Sequence, residues 1–184
     1  MWQLKSPQPV KLIVGLLGAS EACLSEAVFA LTQVFGRVDL TSESWLFEYT
    51  RYYRQEIGDK IFRQFVSFDK LIHPGDLAGI KHETNRIEQE LVKNLGLPVP
   101  RPANLDPGYI EPSKLVLAST KNFAHRIYIG EQMYAEVTLL FDKGAWTPLL
   151  YTYPDYRQDS YFAFFSRVRE RLREQHRMEA NQSA

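Results

Sequence analysis

Asn104, Asp106, Ser119, Thr120, Lys121, His125, Arg126 and Glu136 crowd one stretch of the chain, set around short apolar runs such as Leu115-Val116-Leu117-Ala118. A fold alone does not require so many charged and hydrogen-bonding groups at strand ends. Cationic and short hydroxyl side chains gathered there can cradle a phosphate or carboxylate, because each donates to an oxyanion oxygen. Lys121, Arg126 and His125 would neutralise charge. Asn104, Tyr109, Ser119 and Thr120 would exchange hydrogen bonds with the same ligand. Asp106 and Glu136 would orient a cation, act as a base or hold Arg126 in place. The candidate catalytic residues are therefore Asp106, His125 and Glu136. The candidate ligand-binding residues are Asn104, Tyr109, Ser119, Thr120, Lys121 and Arg126. No metal site emerges, since His73, His82, His125 and His176 are scattered without ligand spacing.

Plainer readings compete. Asp106-Pro107-Gly108 is turn chemistry, with Asn104 closing an Asx-type bond. Lys81, Asn85 and Glu88 share one helix face and read as a solvated ladder. Thr50-Arg51-Tyr52-Tyr53-Arg54 mixes aromatic and basic residues in a way that suits base stacking, but the aromatic RNA-binding signature is absent. Tyr153-Pro154-Asp155-Tyr156-Arg157 reads as a rim before the last helix.

The elements that must position these groups follow from periodicity. Lys11 to Gly18 is a continuous apolar run, as in a strand buried on both faces. Ser20 caps a helix whose stripe is Leu24, Ala27, Val28, Leu31, Val34 and Phe35, ending at Gly36. Trp45 to Thr50 and Ile61 to Phe68 alternate as strands, with Gln55 to Lys60 as their hairpin connection. A second helix, capped by Asp76, buries Leu77, Ile80, Thr84, Ile87 and Leu91. Leu97-Pro98-Val99-Pro100-Arg101-Pro102 is a connector. An antiparallel meander follows: Lys114–Ala118, Arg126–Ile129, Tyr134–Phe141 and Trp146–Tyr153, with Asp142-Lys143-Gly144 as a hairpin turn. Asp159 caps a closing helix. The expected fold is α+β, a mostly antiparallel sheet with a ferredoxin-like βαββα first half, a β-meander second half and a C-terminal helix. Residues 1–184 form a single domain, with 1–9 and 178–184 flexible.

Register gives a sharper expectation. Side chains alternate faces, so Tyr134, Glu136 and Thr138 share one face and Ala135, Val137 and Leu139 the other. The pairing that keeps apolar and polar faces apart sets Ile127 opposite Ala135 and Tyr128 opposite Tyr134. It then sets Arg126 beside Glu136, as an ion pair that is worth about 0.2–1 kcal/mol if exposed.

Composition narrows the classes. Lys+Arg and Asp+Glu balance at 22 each, so no general field draws the chain to nucleic acid or an anionic membrane. The single Cys23 forbids an internal disulfide and fits a reducing compartment. Val10 to Leu17 is too short to span a bilayer, and no signal peptide is visible, which places the protein in the cytoplasm. Gly15-Leu16-Leu17-Gly18-Ala19-Ser20 lacks the lysine and spacing of a phosphate-binding loop, and no dinucleotide fingerprint or serine-hydrolase elbow is present.

Asn104-Leu105-Asp106-Pro107-Gly108-Tyr109, Lys114 to Lys121 and His125-Arg126-Ile127-Tyr128 resemble an uncharacterised prokaryotic family filed as domain of unknown function 4416. Thr50-Arg51-Tyr52-Tyr53 with Glu56 and Gly58, and Tyr153 to Arg157, resemble it as well. The resemblance covers nearly the whole chain. Members sometimes carry a GTP-binding label, although no GTP motif is recognisable in this sequence. The leading expectation is a site in the 104–138 segment for an anionic, phosphate-bearing small molecule such as a nucleotide, compatible with hydrolysis or phosphoryl transfer. The alternative is a non-enzymatic module that holds RNA or a protein through Tyr52, Tyr53 and Arg54. No cofactor is indicated.

Overall fold

In chain order the elements are β1 (Val10–Gly18), α1 (Glu21–Phe35), β2 (Val38–Thr41), β3 (Trp45–Leu46), α2 (Arg54–Ile57), β4 (Phe62–Ile72) and α3 (Leu77–Leu95). After the proline connector come β5 (Ala103–Glu111), β6 (Lys114–Ser119), β7 (Ile127–Gly130), β8 (Met133–Asp142), β9 (Ala145–Pro148) and α4 (Asp159–Gln182). This computed structural model describes residues 3–49 and 53–182.

β1 is buried along its whole length, as its unbroken apolar run requires. Its alternation divides two cores. Leu12, Val14 and Leu16 pack under α1 and α3, while Ile13 packs with Phe65, Phe165 and Val168 under α4. The strand order is β2-β4-β1-β5-β6-β8-β7, all antiparallel, with β3 on β4 and β9 on β8. The result is a mixed α/β architecture: one antiparallel sheet, two helices on one face and the C-terminal helix on the other. Ser20 caps α1 by accepting from the Cys23 amide, and Gly36, at φ 86°, ends it. The α3 stripe is buried as its spacing predicts. Among the described residues no helix is long and apolar enough to cross a membrane.

Several elements differ from the sequence expectations. Trp45 to Tyr49 contributes only the two-residue β3, and Val38–Thr41 takes the place beside β4 instead. The Gln55–Lys60 connection is partly helical, since α2 starts at Arg54 and runs into it as far as Ile57. Asp76 makes no side-chain cap to α3; His73 Nδ1 accepts from the Gly75 amide one turn earlier. The meander order is not sequential: β8 lies between β6 and β7, leaving β7 at the edge. The last strand stops at Pro148, and α4 runs through Gln182, beyond the Met178 where a flexible tail was expected.

The largest difference is Asp106-Pro107-Gly108, which lies inside β5 rather than in a turn. β6 stays paired with β5 only as far as Gly108↔Leu117, so at Pro107 just β1 remains alongside. A proline is tolerated in a strand where a neighbour has left. Gly108 is needed at the last rung, because a methyl group there would lie 2.2 Å from the Val116 carbonyl oxygen. The turn-like tripeptide thus marks where two strands part.

Candidate functional site

A cavity of about 570 Å³ opens where β6 leaves β5. Pairing sets Arg63, Leu17 and Asn104 abreast across β4, β1 and β5, with Phe65, Gly15 and Asp106 in the next row. Arg63, Asn104 and Asp106 thereby share the face that α4 covers. Leu117 and Glu136 form a facing row on β6 and β8. Because the strands part, Lys81 and Asn85 of α3, from the opposite face, also line the cavity. Phe47, Tyr49 and Tyr53 form one wall, and Tyr153 to Tyr156 another.

Arg126 is fixed in the manner that register predicted. Ile127 pairs with Ala135, Tyr128 with Tyr134 across a ring contact of 5.6 Å, and Arg126 Nε donates to Glu136 Oε2 at 2.8 Å. The pair is buried rather than superficial, with the Glu136 side chain 1% exposed. Arg126 Nη1 also donates to Ser119 Oγ and the Lys121 carbonyl, and Nη2 to Tyr153 Oη. One guanidinium therefore ties β6, the 119–126 loop, β8 and the 149–158 segment together. Ile127 itself is largely exposed, since β7 has no partner on its outer edge.

His125 sits behind this arrangement. Its Nε2 is 3.0 Å from Glu136 Oε2, and its ring stacks on Tyr151 at 4.0 Å. It braces Glu136 and does not line the cavity.

At the α3 end, Lys81 Nζ donates to the Leu105 carbonyl at 2.7 Å and lies 3.6 Å from Asp106. Glu88 accepts from Arg101 Nε and Nη2 and from the Leu105 amide. Burial pushes the Glu88 carboxyl above its ordinary pKa, with the charges of Lys81 and Arg101 pulling the other way. Lys81 and Glu88 are buried, so this helix face is no solvated ladder. Asn104 Nδ2 donates to Asp106 Oδ2 at 2.6 Å, a local bond that now serves a strand.

Arg63 lies deepest. Its Nη2 donates to Asp155 Oδ2 at 2.8 Å, and its guanidinium carbon sits 5.2, 5.4 and 5.6 Å from the rings of Phe47, Phe65 and Tyr156. Burial opposes its charge, but the carboxylates of Asp155 and Asp106 more than offset this and raise its pKa above the ordinary value. Burial likewise pushes the Tyr53, Tyr153 and Tyr156 hydroxyls up, so all three keep their protons well above neutrality.

Of the residues singled out in the sequence, Asn104, Asp106, Ser119, Thr120, Lys121, Arg126 and Glu136 line one cavity. Tyr109 does not: it alternates to the other face of β5, packing with Val116 and Val137 beneath Leu77. Tyr53 lines the cavity, while Thr50, Arg51 and Tyr52 fall outside the described residues. The sequence reading missed Arg63, Lys81 and Arg101 and gave Asp155 and Tyr156 only a rim. One signal for Arg63 existed, a cation in phase with Phe65 on the buried face of a strand. Among the described residues no group of three or more His, Cys, Asp or Glu side chains is placed to hold a metal ion.

Residues 8–172 match the family described as a domain of unknown function (DUF4416), and the chain belongs to that family. No curated protein and no solved structure matches it.

Proposed function

We propose that the cavity binds an anionic, phosphate-bearing small molecule such as a nucleotide. The observation that carries this reading is the lining. Five basic side chains (Arg63, Lys81, Arg101, Lys121 and Arg126) and three acidic ones (Asp106, Glu136 and Asp155) surround about 570 Å³. That volume lies within the range of ligand pockets, roughly 300–1,000 Å³. The wall of Phe47, Tyr49 and Tyr53 offers ring faces on which a planar heterocycle can stack. A flat RNA or protein surface would need Tyr53 outside, and its place in the cavity wall counts against that alternative.

The two candidate carboxylates of the 104–138 segment, Asp106 and Glu136, divide in role. Glu136 is committed to Arg126 and His125 and acts as a positioning residue. Asp106 keeps about a quarter of its side chain exposed, at 28%, in the cavity between Asn104 and Lys81. If the bound molecule is also turned over by hydrolysis or phosphoryl transfer, Asp106 is the group placed to take a proton.

The test is a thermal-shift screen against nucleotides, sugar phosphates and inorganic phosphate. A ligand at about a hundred times its dissociation constant adds roughly 2.7 kcal/mol to stability. The expected result is a shift with at least one phosphorylated compound that is lost in Lys121→Ala. A flat response across the panel would refute the reading.

A further inference from the structure

The cavity's cations are not equivalent. Arg126, Arg101 and Lys81 are engaged by Glu136, Ser119 and Tyr153, by Glu88 and Glu56, and by Leu105 and Asp106. Arg63 spends only Nη2, on Asp155. Its Nε and Nη1, and the Tyr156 hydroxyl, have no hydrogen-bond partner among the described residues. Arg63 is 3% exposed and Tyr156 2%. The Tyr161 hydroxyl approaches the guanidinium closely enough to interact with it both through charge and through a side-chain hydrogen bond, but in a geometry that leaves Nε and Nη1 without a well-formed partner. The rings around Arg63 stabilise its charge through their faces and leave its N–H edges unsatisfied.

Buried donors without acceptors are rare in native proteins, because each forfeits hydration and regains nothing. Here they come together at one place. Gly15, in the floor of the sheet, has no side chain, and a methyl group on it would lie 2.9 Å from Tyr156 Oη and 3.2 Å from Arg63 Nη1. Both groups therefore reach down to the same point over β1, and both line the cavity.

We propose that Arg63 Nη1 and the Tyr156 hydroxyl are paired donors for a phosphoryl oxygen of the ligand at the floor of the cavity, with Asp155 as the residue that positions Arg63. This rests on the reading of the cavity as a phosphate-binding site. The nearby carboxylates do not oppose it. Asp155 is paired with Arg63, and Asp106 lies 3.6 Å from Lys81 and accepts a hydrogen bond from the Asn104 amide. The raised pKa of Tyr156 keeps its proton available for donation. A phosphoryl oxygen suits the pair because charge-assisted bonds from arginine to phosphate are short and strong.

The experiment compares wild type, Tyr156→Phe and Arg63→Lys, each titrated calorimetrically with inorganic pyrophosphate and with ribonucleoside triphosphates. Tyr156→Phe removes one oxygen that has no partner in the free protein, so its unliganded melting temperature should equal or exceed that of wild type. Its affinity should fall at least tenfold. Arg63→Lys keeps the charge beside Asp155 but loses the second donor edge, and should also bind at least tenfold more weakly. Wild-type affinity in Tyr156→Phe would overturn the pairing whatever Arg63→Lys does. A lowered melting temperature of unliganded Tyr156→Phe would overturn it too, by showing that the hydroxyl has a partner within the protein. A wild type that binds none of these compounds would overturn this inference, and together with a flat thermal-shift panel it would refute the cavity reading as well. Binding kept in both variants would refute the inference alone.

Discussion

Two of the buried cation–carboxylate pairs lie near the two ends of β1, on the face of the sheet that α4 covers, and they are built to opposite purposes. Near the start of β1, Lys11 Nζ donates to Asp39 at 2.5 Å and to Gln175 Oε1 at 2.7 Å. Asp39 also accepts from Ser67 Oγ and approaches Arg171. Donors and acceptors there answer one another, and the cluster clamps α4 to the sheet. Near the far end of β1, Arg63 and Asp155 form the same kind of pair, yet two guanidinium nitrogens and the Tyr156 hydroxyl beside it are unsatisfied, and a cavity opens against them. A saturated buried pair needs nothing beyond the fold; one with donors to spare beside a cavity is what the proposed ligand site calls for.

The widest break in this comparison comes from removing the cations. Arg63→Met strands the Asp155 carboxylate in the interior and should cost about 3–5 kcal/mol in urea denaturation. Lys11→Met should cost less, about 1–3 kcal/mol, because Asp39 keeps Ser67 and Arg171. Equal losses would mean that the two centres are energetically alike.

Removing a hydroxyl from each centre should give opposite signs. Ser67→Ala takes a donor from Asp39 and should lose about 1 kcal/mol, whereas Tyr156→Phe deletes an unpartnered group and should gain about 1 kcal/mol in the unliganded protein. Denaturation midpoints at one pH decide it, and losses in both variants would erase the distinction.

The smallest effect is in alkaline pH dependence. Burial lowers the Lys11 pKa from 10.5, so between its folded value and 10.5 the unfolded chain binds more protons and stability rises with pH. Burial raises Tyr156 above 10.0, so above pH 10 the folded chain holds the extra proton and stability falls as pH rises. Denaturation at pH 9 and 11 should therefore show a shallower loss in Tyr156→Phe than in wild type, and a steeper loss in Lys11→Met. Parallel profiles for all three would contradict both assignments.

What could be read from the sequence was what is local. β1, α1 and α3 announced themselves through periodicity, and Lys143 and Gly144, both at positive φ, make the hairpin turn that their spacing implied. The Arg126–Glu136 pair followed because ten residues and one alternation rule connect its members. Arg63 and Asp155 are 92 residues apart, and no local rule joins them. Asp106-Pro107-Gly108 misled for a related reason. The departure of β6 that makes the tripeptide acceptable in a strand is a tertiary event. Lys81 and Glu88 look like surface residues on their own helix, and become buried only through Leu105 and Arg101.

Hydrogen–deuterium exchange of the wild-type protein, with and without saturating pyrophosphate, tests the contrast between the two ends of β1 most directly. Slowed exchange confined to 119–126 and 149–158, with residues 37–39 and 69–72 around the Lys11 cluster unchanged, is the expected result. Protection centred on the Lys11 cluster, or none anywhere, would contradict the assignment of the Arg63 end as the binding site.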